Sequence, residues 1–263
     1  MTAANAQLGS ASDLLWQHWQ QRRRMAQLPE AIRPRTREAG YAVQALLERR
    51  TAFPLFGWKI AATSKAGQAH IAVDGPMAGR LLRERVCDDG GRVPFAGNHM
   101  RVAEAEFAFR LGANLRPRNQ PYRVDEVFAA VAALHPAIEV PDSRYEDFTV
   151  VGAAQLIADN ACADYFVLGP PAPAGWQSID LAAHRVTGRV NDGPPREGVG
   201  ANVLGDPREA LTWLVNELSN LNVTLAAGQI VTTGTCLVPL PVEPGDHVVV
   251  DFGAIGSANA WLD

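Results

Sequence analysis

The spacing of apolar and polar positions divides the chain into a helical beginning and a longer part made of short strands. Near the start, Leu14, Leu15 and Trp19 recur at helical spacing, and the pattern predicts a helix that continues to Met25. A second helix is predicted to begin after Thr36, whose hydroxyl can accept a hydrogen bond from the first turn. The helical spacing stops near residue 55, where short apolar runs separated by glycine and proline begin.

These short apolar runs are typical of β-strands. The predicted strands cover residues 56–61, 101–111, 137–141, 165–168, 183–191, 229–233 and 247–252. Three helices are predicted among them: a short one capped by Ser64, one with helical spacing over 124–134, and one that begins at Asp206 with Pro207 in its first turn. Because the helices do not alternate regularly with the strands, the pattern predicts an α+β fold rather than a doubly wound or barrel α/β fold.

Composition and charge narrow the class of protein. The chain has 263 residues, of which 47% are hydrophobic and 20% are charged, as in a soluble globular protein. Its net charge of −4 gives no electrostatic reason to expect a nucleic acid or an anionic membrane as partner, and no apolar run is long enough to span a bilayer. The three cysteines lie far apart without metal-binding spacing, so we expect a cytoplasmic protein without disulfides.

One predicted strand carries two acids on the same face. Side chains alternate across a strand, so Glu104 and Glu106 point to one side, whereas the intervening Ala105 and the following Phe107 point to the other. Like charges at such positions repel each other, and burying either one without a partner is costly. The pair therefore requires a cation, a shared proton or contact with water.

A third acid favours the cation. Glu139 lies within another short apolar strand, and three carboxylates from two strands would form an anionic site made only of oxygen ligands. Such a site is suited to Mg²⁺ or Mn²⁺ rather than zinc. The alternative interpretation is that strand glutamates face solvent or pair with arginine.

Lys59 is a candidate for proton transfer because it stands among apolar residues in the first predicted strand. If it faces inward, burial would lower its pKa and nearby carboxylates would raise it. The alternative is an edge-strand lysine whose ammonium group reaches out to solvent.

Several segments together resemble the 2-keto-4-pentenoate hydratase branch of the fumarylacetoacetate hydrolase family. They occur in the family's order from about residue 57 to the end, and their combination is more specific than any one of them. The matching segments are 57–60, 63–66, 104–109, 138–144, 157–161, 234–240, 244–246 and 251–257.

The resemblance implies a fold, a cofactor and a reaction. It implies a helical N-terminal region at 1–55 and a mixed β-roll or sandwich catalytic domain at 56–263. It makes the three glutamates ligands of one Mg²⁺ or Mn²⁺ ion and Lys59 an acid, base or orienting residue. The implied reaction adds water to 2-hydroxypenta-2,4-dienoate, or a related 2-oxo acid, in the degradation of aromatic compounds. It also implies a homo-oligomer that associates with a downstream aldolase.

The resemblance further implies that Gly234, Thr235 and Asp159 bind the substrate, although the Thr235 hydroxyl could equally belong to an ordinary turn. One position departs from the family pattern, because Met77 stands where an acid is common. Either Asp74 replaces this acid in handling the attacking water, or the substrate differs from the usual one.

Two other functions remain open. A decarboxylase of the 4-oxalocrotonate type would use the same metal site, and its second substrate carboxylate would need a cation such as Arg80 or Arg83 near the tail. Alternatively, the chain is a non-catalytic subunit that partners an active homologue. A carbon–carbon hydrolase is disfavoured, because the N-terminal half of the chain shows no His/Glu pair of the kind that activates water in the hydrolytic members of the family.

Overall fold

The computed structural model describes residues 3–263, which form two β-sheets and six α-helices. The helices are α1 Ala3–Gln20, α2 Arg37–Ala45, α3 Lys65–His70, α4 Val124–Ala129, α5 Ala153–Ala158 and α6 Pro207–Asn220. The strands are β1 Gly57–Ala61, β2 Met77–Leu81, β3 Val86–Asp88, β4 Arg92–Val93, β5 Val102–Leu111, β6 Val131–Val140, β7 Tyr165–Leu168, β8 Arg185–Val190, β9 Arg196–Val199, β10 Ile230–Thr235, β11 Leu240–Pro241, β12 His247–Asp251 and β13 Ser257–Leu262.

The larger sheet is mixed and has the strand order β2-β1-β10-β5-β6-β7-β3, with β11 paired to β5. The β1–β10 and β3–β7 pairs are parallel, and the remaining pairs are antiparallel. The smaller sheet has the order β4-β13-β12-β8-β9. Mixed sheets with helices that do not alternate regularly with strands confirm the predicted α+β fold.

The main core lies between the two sheets. Phe107 of β5 meets Phe252 at the end of β12 edge to face, with ring centroids 4.9 Å apart. Ala103, Ala105 and Phe109 point to the same side as Phe107 and are fully buried. The predicted alternation in this strand is therefore correct, and the acids between these residues lie on the opposite face of the sheet.

The N-terminal helices pack against α5 and the segment after β6 through a smaller apolar cluster, which joins Leu15 and Val43 to Tyr145 and Ala158. α1 ends at Gln20, before the predicted end at Met25, because Met25 pairs with Tyr145 as an isolated bridge instead.

Three predicted helix caps are present. The hydroxyl of Thr36 accepts from the Ala39 N–H at 3.2 Å, Ser64 caps α3, and Asp206 caps α6 with Pro207 in the first turn. These side chains satisfy N–H groups that have no partner within the helix.

One predicted element is wrong in part. The helical spacing over 124–134 continues past the true end of α4, and its last four residues lie in β6. Leu134 pairs with Phe109 and Val131 with Leu111 in the antiparallel β5–β6 ladder. A ten-residue strand pairing therefore overrides a local spacing that helices and buried strands share. None of the helices in residues 3–263 is long and apolar enough to cross a membrane.

Candidate active site

The three predicted acids meet on one face of the larger sheet. Glu104 of β5 lies directly opposite Glu139 of β6 in the antiparallel ladder, and Glu106 follows two residues along the same face. One carboxylate oxygen from each lies within 4.8 Å of the others. Glu106 and Glu139 are buried, whereas Glu104 is partly exposed and forms the open side of the cluster.

A bulge in β10 anchors Glu106. The β10–β5 register shifts between Thr232 and Thr235, so β10 has one extra residue against β5. Oε2 of Glu106 accepts from the Thr232 hydroxyl and, at 2.8 Å, from the Gly234 N–H. Gly234 has φ +94°, and a Cβ there would lie 2.2 Å from the Thr63 hydroxyl, so only glycine fits this bulge.

Lys59 extends into the same cluster from β1. Its Nζ lies 3.0 Å from Oε1 of Glu139 and donates to the Ala161 carbonyl at 3.0 Å. Lys59 is 3% exposed and β2 rather than β1 is the edge strand, so its ammonium group does not reach solvent. On a flat sheet β1 would lie about 14 Å from β6, because three steps of ~4.8 Å separate the two strands. Since Nζ of Lys59 nevertheless contacts Glu139, the sheet curls towards this face.

Burial and mutual repulsion strongly raise the pKa values of the acids. Burial, followed by the charge of Glu139, raises the pKa of Glu104 from 4.5 to about 7. The same two causes, with a further contribution from Glu104, raise the pKa of Glu106 well above its usual value. Burial alone would lower the pKa of Lys59, but the neighbouring carboxylates, Glu139 first, outweigh it and raise that pKa. Lys59 is therefore a charged ammonium at neutral pH.

The cluster fits a divalent cation on two counts. Three ionised carboxylates and one ammonium carry a formal charge of −2, which a divalent cation would neutralise. Within residues 3–263, Oε1 of Glu106 and both oxygens of Glu139 are buried without a hydrogen-bond donor in good geometry. Buried carboxylate oxygens nearly always have partners, so these oxygens are suited to coordinate a hard cation.

The raised pKa values predict how the metal-free protein responds to pH. Since a proton must leave before a cation binds, Mn²⁺ affinity should rise through about pH 7, by roughly tenfold or more between pH 6 and 8. An acid whose pKa is higher in the folded than in the unfolded protein contributes its full stabilisation at pH values below its unfolded-state pKa. This contribution is lost as the pH rises through its folded-state pKa. Without metal, the melting temperature should therefore fall from pH 6 to 8, and Mn²⁺ should restore it. Calorimetric titration and thermal melts test both effects, and a metal-free protein that is more stable at pH 8 would contradict this charge assignment.

The three predicted substrate-binding residues each bond to other groups of the protein. The N–H of Gly234 donates to Glu106, so it holds an acid of the cluster in place. The Thr235 hydroxyl, half-buried beside it, donates to the Leu237 carbonyl at 2.8 Å, as in an ordinary turn.

Asp159 is placed in a structural ion pair. Its carboxylate accepts from the Arg144 guanidinium, from the Arg144 N–H at 3.1 Å and from the Ser143 hydroxyl at 2.8 Å. Both partners are buried, and protein donors occupy both carboxylate oxygens. Protein groups therefore already hold this carboxylate, and the role of Asp159 in substrate binding stays a prediction.

Breaking this buried pair should destabilise the fold. Asp159→Asn is expected to lower the free energy of unfolding by about 3–5 kcal/mol, because it leaves Arg144 as a buried charge without its counter-ion. The matched control is Glu197→Gln, since Glu197 pairs with Arg185 on the surface where both side chains are mostly exposed. That change should cost less than about 1 kcal/mol. Urea denaturation measures both, and equal losses would contradict the role given to the buried pair.

Asp74 also lies apart from the acid cluster. Its side chain is 88% exposed in the loop before β2 and lies 3.7 Å from the Arg37 guanidinium at the start of α2. Met77 is buried in the core and opposes Ala61 in the β1–β2 ladder. The Asp74 carboxylate therefore lies at the surface beside Arg37, and its role as the acid that replaces Met77 stays a prediction.

Sequence reasoning missed four contacts that shape the site. The contact of Thr232 could have been predicted from the sequence, because this residue lies in a predicted strand two residues before Gly234. The others depend on distant chain segments coming together: the Ala161 carbonyl, the Asn160 side chain and the bare backbone of Gly79.

The curled mixed sheet, with three glutamates and a lysine clustered on one face, places the chain among α+β proteins that present carboxylates on a sheet face. Residues 80–262 match the family described as fumarylacetoacetate (FAA) hydrolase C-terminal, and the chain belongs to this family.

Known relatives cover nearly the whole chain. A 2-keto-4-pentenoate hydratase from Paraburkholderia xenovorans (strain LB400) is 30% identical over 96% of this chain and 94% of its own length. A 2-oxo-hept-4-ene-1,7-dioate hydratase from Escherichia coli is 33% identical over 85% of this chain and 86% of its own. Among solved structures, 4-oxalocrotonate decarboxylase from Pseudomonas putida G7, complexed with magnesium and adipate, superposes with a TM-score of 0.89 at 27% identity, covering 100% of this chain and 99% of its own.

Proposed function

We propose that this protein is a magnesium-dependent hydratase that adds water to 2-hydroxypenta-2,4-dienoate or a closely related 2-oxo acid. The observation that carries the proposal is the meeting of Glu104, Glu106, Glu139 and Lys59 on one sheet face. The hydratase relatives, which match this chain over most of its length, support the same reaction class.

The three glutamates would hold Mg²⁺, with Mn²⁺ as a substitute of similar ligand preference. The magnesium in the decarboxylase relative supports this choice. When bound, the cation supplies Lewis-acid polarisation of the carbonyl group of a chelating 2-oxo acid. Glu104, on the open side, leaves room for a substrate to approach the cluster.

Lys59 is the proton carrier in this proposal. Conversion of the dienol to the conjugated ketone moves a proton from oxygen to carbon, and the addition of water then requires a second protonation at carbon. The Lys59 ammonium is charged and held at Glu139, and it has N–H donors that can deliver a proton to carbon. Glu139, in contact with Nζ, also keeps the ammonium directed at the cluster.

A decarboxylase acting on a substrate with two carboxylates is the second candidate, favoured by the solved relative. Of the two cations predicted for the distal carboxylate, Arg80 is unsuitable. It is buried on the far face of β2, stacks on Trp58 and pairs with Glu48. Arg83 is exposed and stacks on Phe56, so it is the remaining candidate.

Direct assay separates the two reactions. The purified chain with Mg²⁺ should consume 2-hydroxypenta-2,4-dienoate, seen as loss of the dienol ultraviolet absorbance, and should release no CO₂ from 2-oxo-hex-3-enedioate. Release of CO₂ without hydration would replace the hydratase by the decarboxylase. Absence of both reactions in a metal-loaded protein would favour the non-catalytic partner subunit.

We further propose that the protein is a cytoplasmic homo-oligomer that can associate with a downstream aldolase. Its three free cysteines suit a reducing compartment. Light scattering after gel filtration, with and without the aldolase, tests the assembly, and a monomer that ignores the aldolase would contradict it.

A further inference from the structure

A turn of three consecutive left-handed residues lies against Lys59. Asn160, Ala161 and Cys162 have φ values of +56°, +51° and +61°, and all three are buried. Asparagine adopts this conformation readily as a single residue, but alanine and cysteine do not, and runs of such residues are rare. Backbone of this kind persists only where surrounding contacts hold it, and it is concentrated at functional sites.

The Asn160 side chain holds the turn to β2. Its Oδ1 accepts from the Arg80 N–H at 2.6 Å, and its Nδ2 donates to the Arg80 carbonyl at 2.8 Å. β2 is an edge strand of the larger sheet, so Arg80 would otherwise lack a backbone partner on this side. The Asn160 side-chain amide thus makes the two backbone hydrogen bonds that a neighbouring strand would otherwise make.

Arg144 holds the turn from the other side. Its guanidinium donates to the carbonyls of Asp159 and Ala163, the residues that flank the turn, the latter at 3.0 Å. Arg144 follows β6, the strand that carries Glu139, by four residues. The turn is therefore fixed to the strands on either side of the acid cluster.

The turn fixes the Lys59 ammonium. The Ala161 carbonyl accepts from Nζ at 3.0 Å, while Nζ lies 3.0 Å from Oε1 of Glu139. Gly79 opposes Lys59 in the β1–β2 ladder, and a Cβ there would lie 2.5 Å from the Asn160 carbonyl and 2.9 Å from Cγ of Lys59. The bare glycine thus leaves space for the lysine stem beneath the turn.

We propose that Asn160 is a positioning residue for Lys59. By holding the left-handed turn, it places the Ala161 carbonyl where one N–H of the ammonium must point, while the Glu139 carboxylate attracts the ammonium as an ion pair at 3.0 Å. An ammonium has three donors, so N–H groups remain for the substrate. A lysine has a flexible four-carbon stem, so a fixed acceptor beside the ion pair defines where its proton is delivered. This inference rests on the proposed role of Lys59 in the reaction.

The composition of the chain makes a direct test practical, because its only lysines are Lys59 and Lys65. Protein labelled with ¹⁵N,¹³C-lysine should show two side-chain signals, which Lys65→Arg assigns. In metal-free protein without substrate, Asn160→Ala should speed exchange of the Lys59 ammonium protons with water by roughly tenfold or more. In metal-loaded protein, kcat should fall by roughly tenfold or more, while KM and Mn²⁺ affinity change by less than about threefold.

Two further variants keep the test decisive. Asn160→Gly removes the two bonds to Arg80 but tolerates the left-handed backbone, so it should behave like Asn160→Ala and carries the test if that variant does not fold. Asn222→Gly is the matched control, because Asn222 also has a positive φ, of +57°, but is exposed, so it should retain wild-type exchange and kcat.

An unchanged Lys59 signal and kcat in Asn160→Gly would overturn the positioning role. Equal losses of kcat and Mn²⁺ affinity would also overturn it, because they would indicate general damage to the site. The exchange measurement uses no substrate, so it is independent of the proposed reaction. Wild-type turnover in Lys59→Ala would refute the catalytic role of Lys59. The exchange measurement would then be the only test of whether the turn positions the ammonium.

Discussion

Replacing Glu106 by glutamine is expected to abolish divalent-metal binding and, with it, turnover. Glu106 is the most firmly held of the three acids, because the Thr232 hydroxyl and the Gly234 N–H both fix Oε2 and leave Oε1 without a donor. Glutamine keeps the shape but loses the charge. Mn²⁺ affinity measured by calorimetry should fall by at least about 100-fold, and kcat by about 10³-fold, which corresponds to about 4 kcal/mol.

Stability separates this result from simple damage to the fold. In the metal-free protein, Glu106→Gln replaces a buried acid, whose ionisation is opposed by burial and by Glu139, with a neutral group, so its melting temperature at pH 8 should equal or exceed that of the wild type. The matched control is Glu126→Gln, which changes a surface glutamate paired with Arg118 and should leave Mn²⁺ affinity unchanged. Wild-type Mn²⁺ affinity in Glu106→Gln would refute the metal assignment.

Replacing Lys59 by alanine should remove turnover while leaving the metal site intact. General acid–base groups typically contribute about 10²–10⁴-fold, so kcat should fall within that range. Because the ammonium lies 3.0 Å from Glu139, its loss also removes a positive charge that repels a cation. Mn²⁺ affinity should therefore stay the same or rise.

The second lysine provides the control for this experiment. Lys65 lies on the exposed side of α3 and bonds only to Gln68 among the contacts described, so Lys65→Ala should keep wild-type kcat and metal affinity. A wild-type kcat in Lys59→Ala would remove Lys59 from the mechanism. A loss of Mn²⁺ affinity in that variant would show that it acts through the metal site instead.

The acids could be predicted from the sequence because their placement depends on local periodicity. The alternation in β5 puts Glu104 and Glu106 on one face, whatever the sheet does elsewhere. Glu139 lies in a similarly apolar segment, and its position opposite Glu104 follows from the β5–β6 ladder. The helix caps at Thr36 and Ser64 are local in the same sense.

The rest of the site depends on contacts between segments far apart in the chain, which no local pattern encodes. Lys59 reaches Glu139 only because β1 inserts beside β10 and the sheet curls. The left-handed conformation of Ala161 has no signal in the sequence, since alanine normally avoids it. Asp159 lies in a segment that resembles the family, and only the structure shows that it holds Arg144, which braces the turn.

Diffraction from crystals soaked in Mn²⁺ tests the central claim most directly. Anomalous scattering should show one peak among the three carboxylates, about 2.0–2.3 Å from an oxygen of each of Glu104, Glu106 and Glu139. The peak should disappear in Glu106→Gln. A fully active wild-type protein whose only manganese peak lies elsewhere would contradict the account.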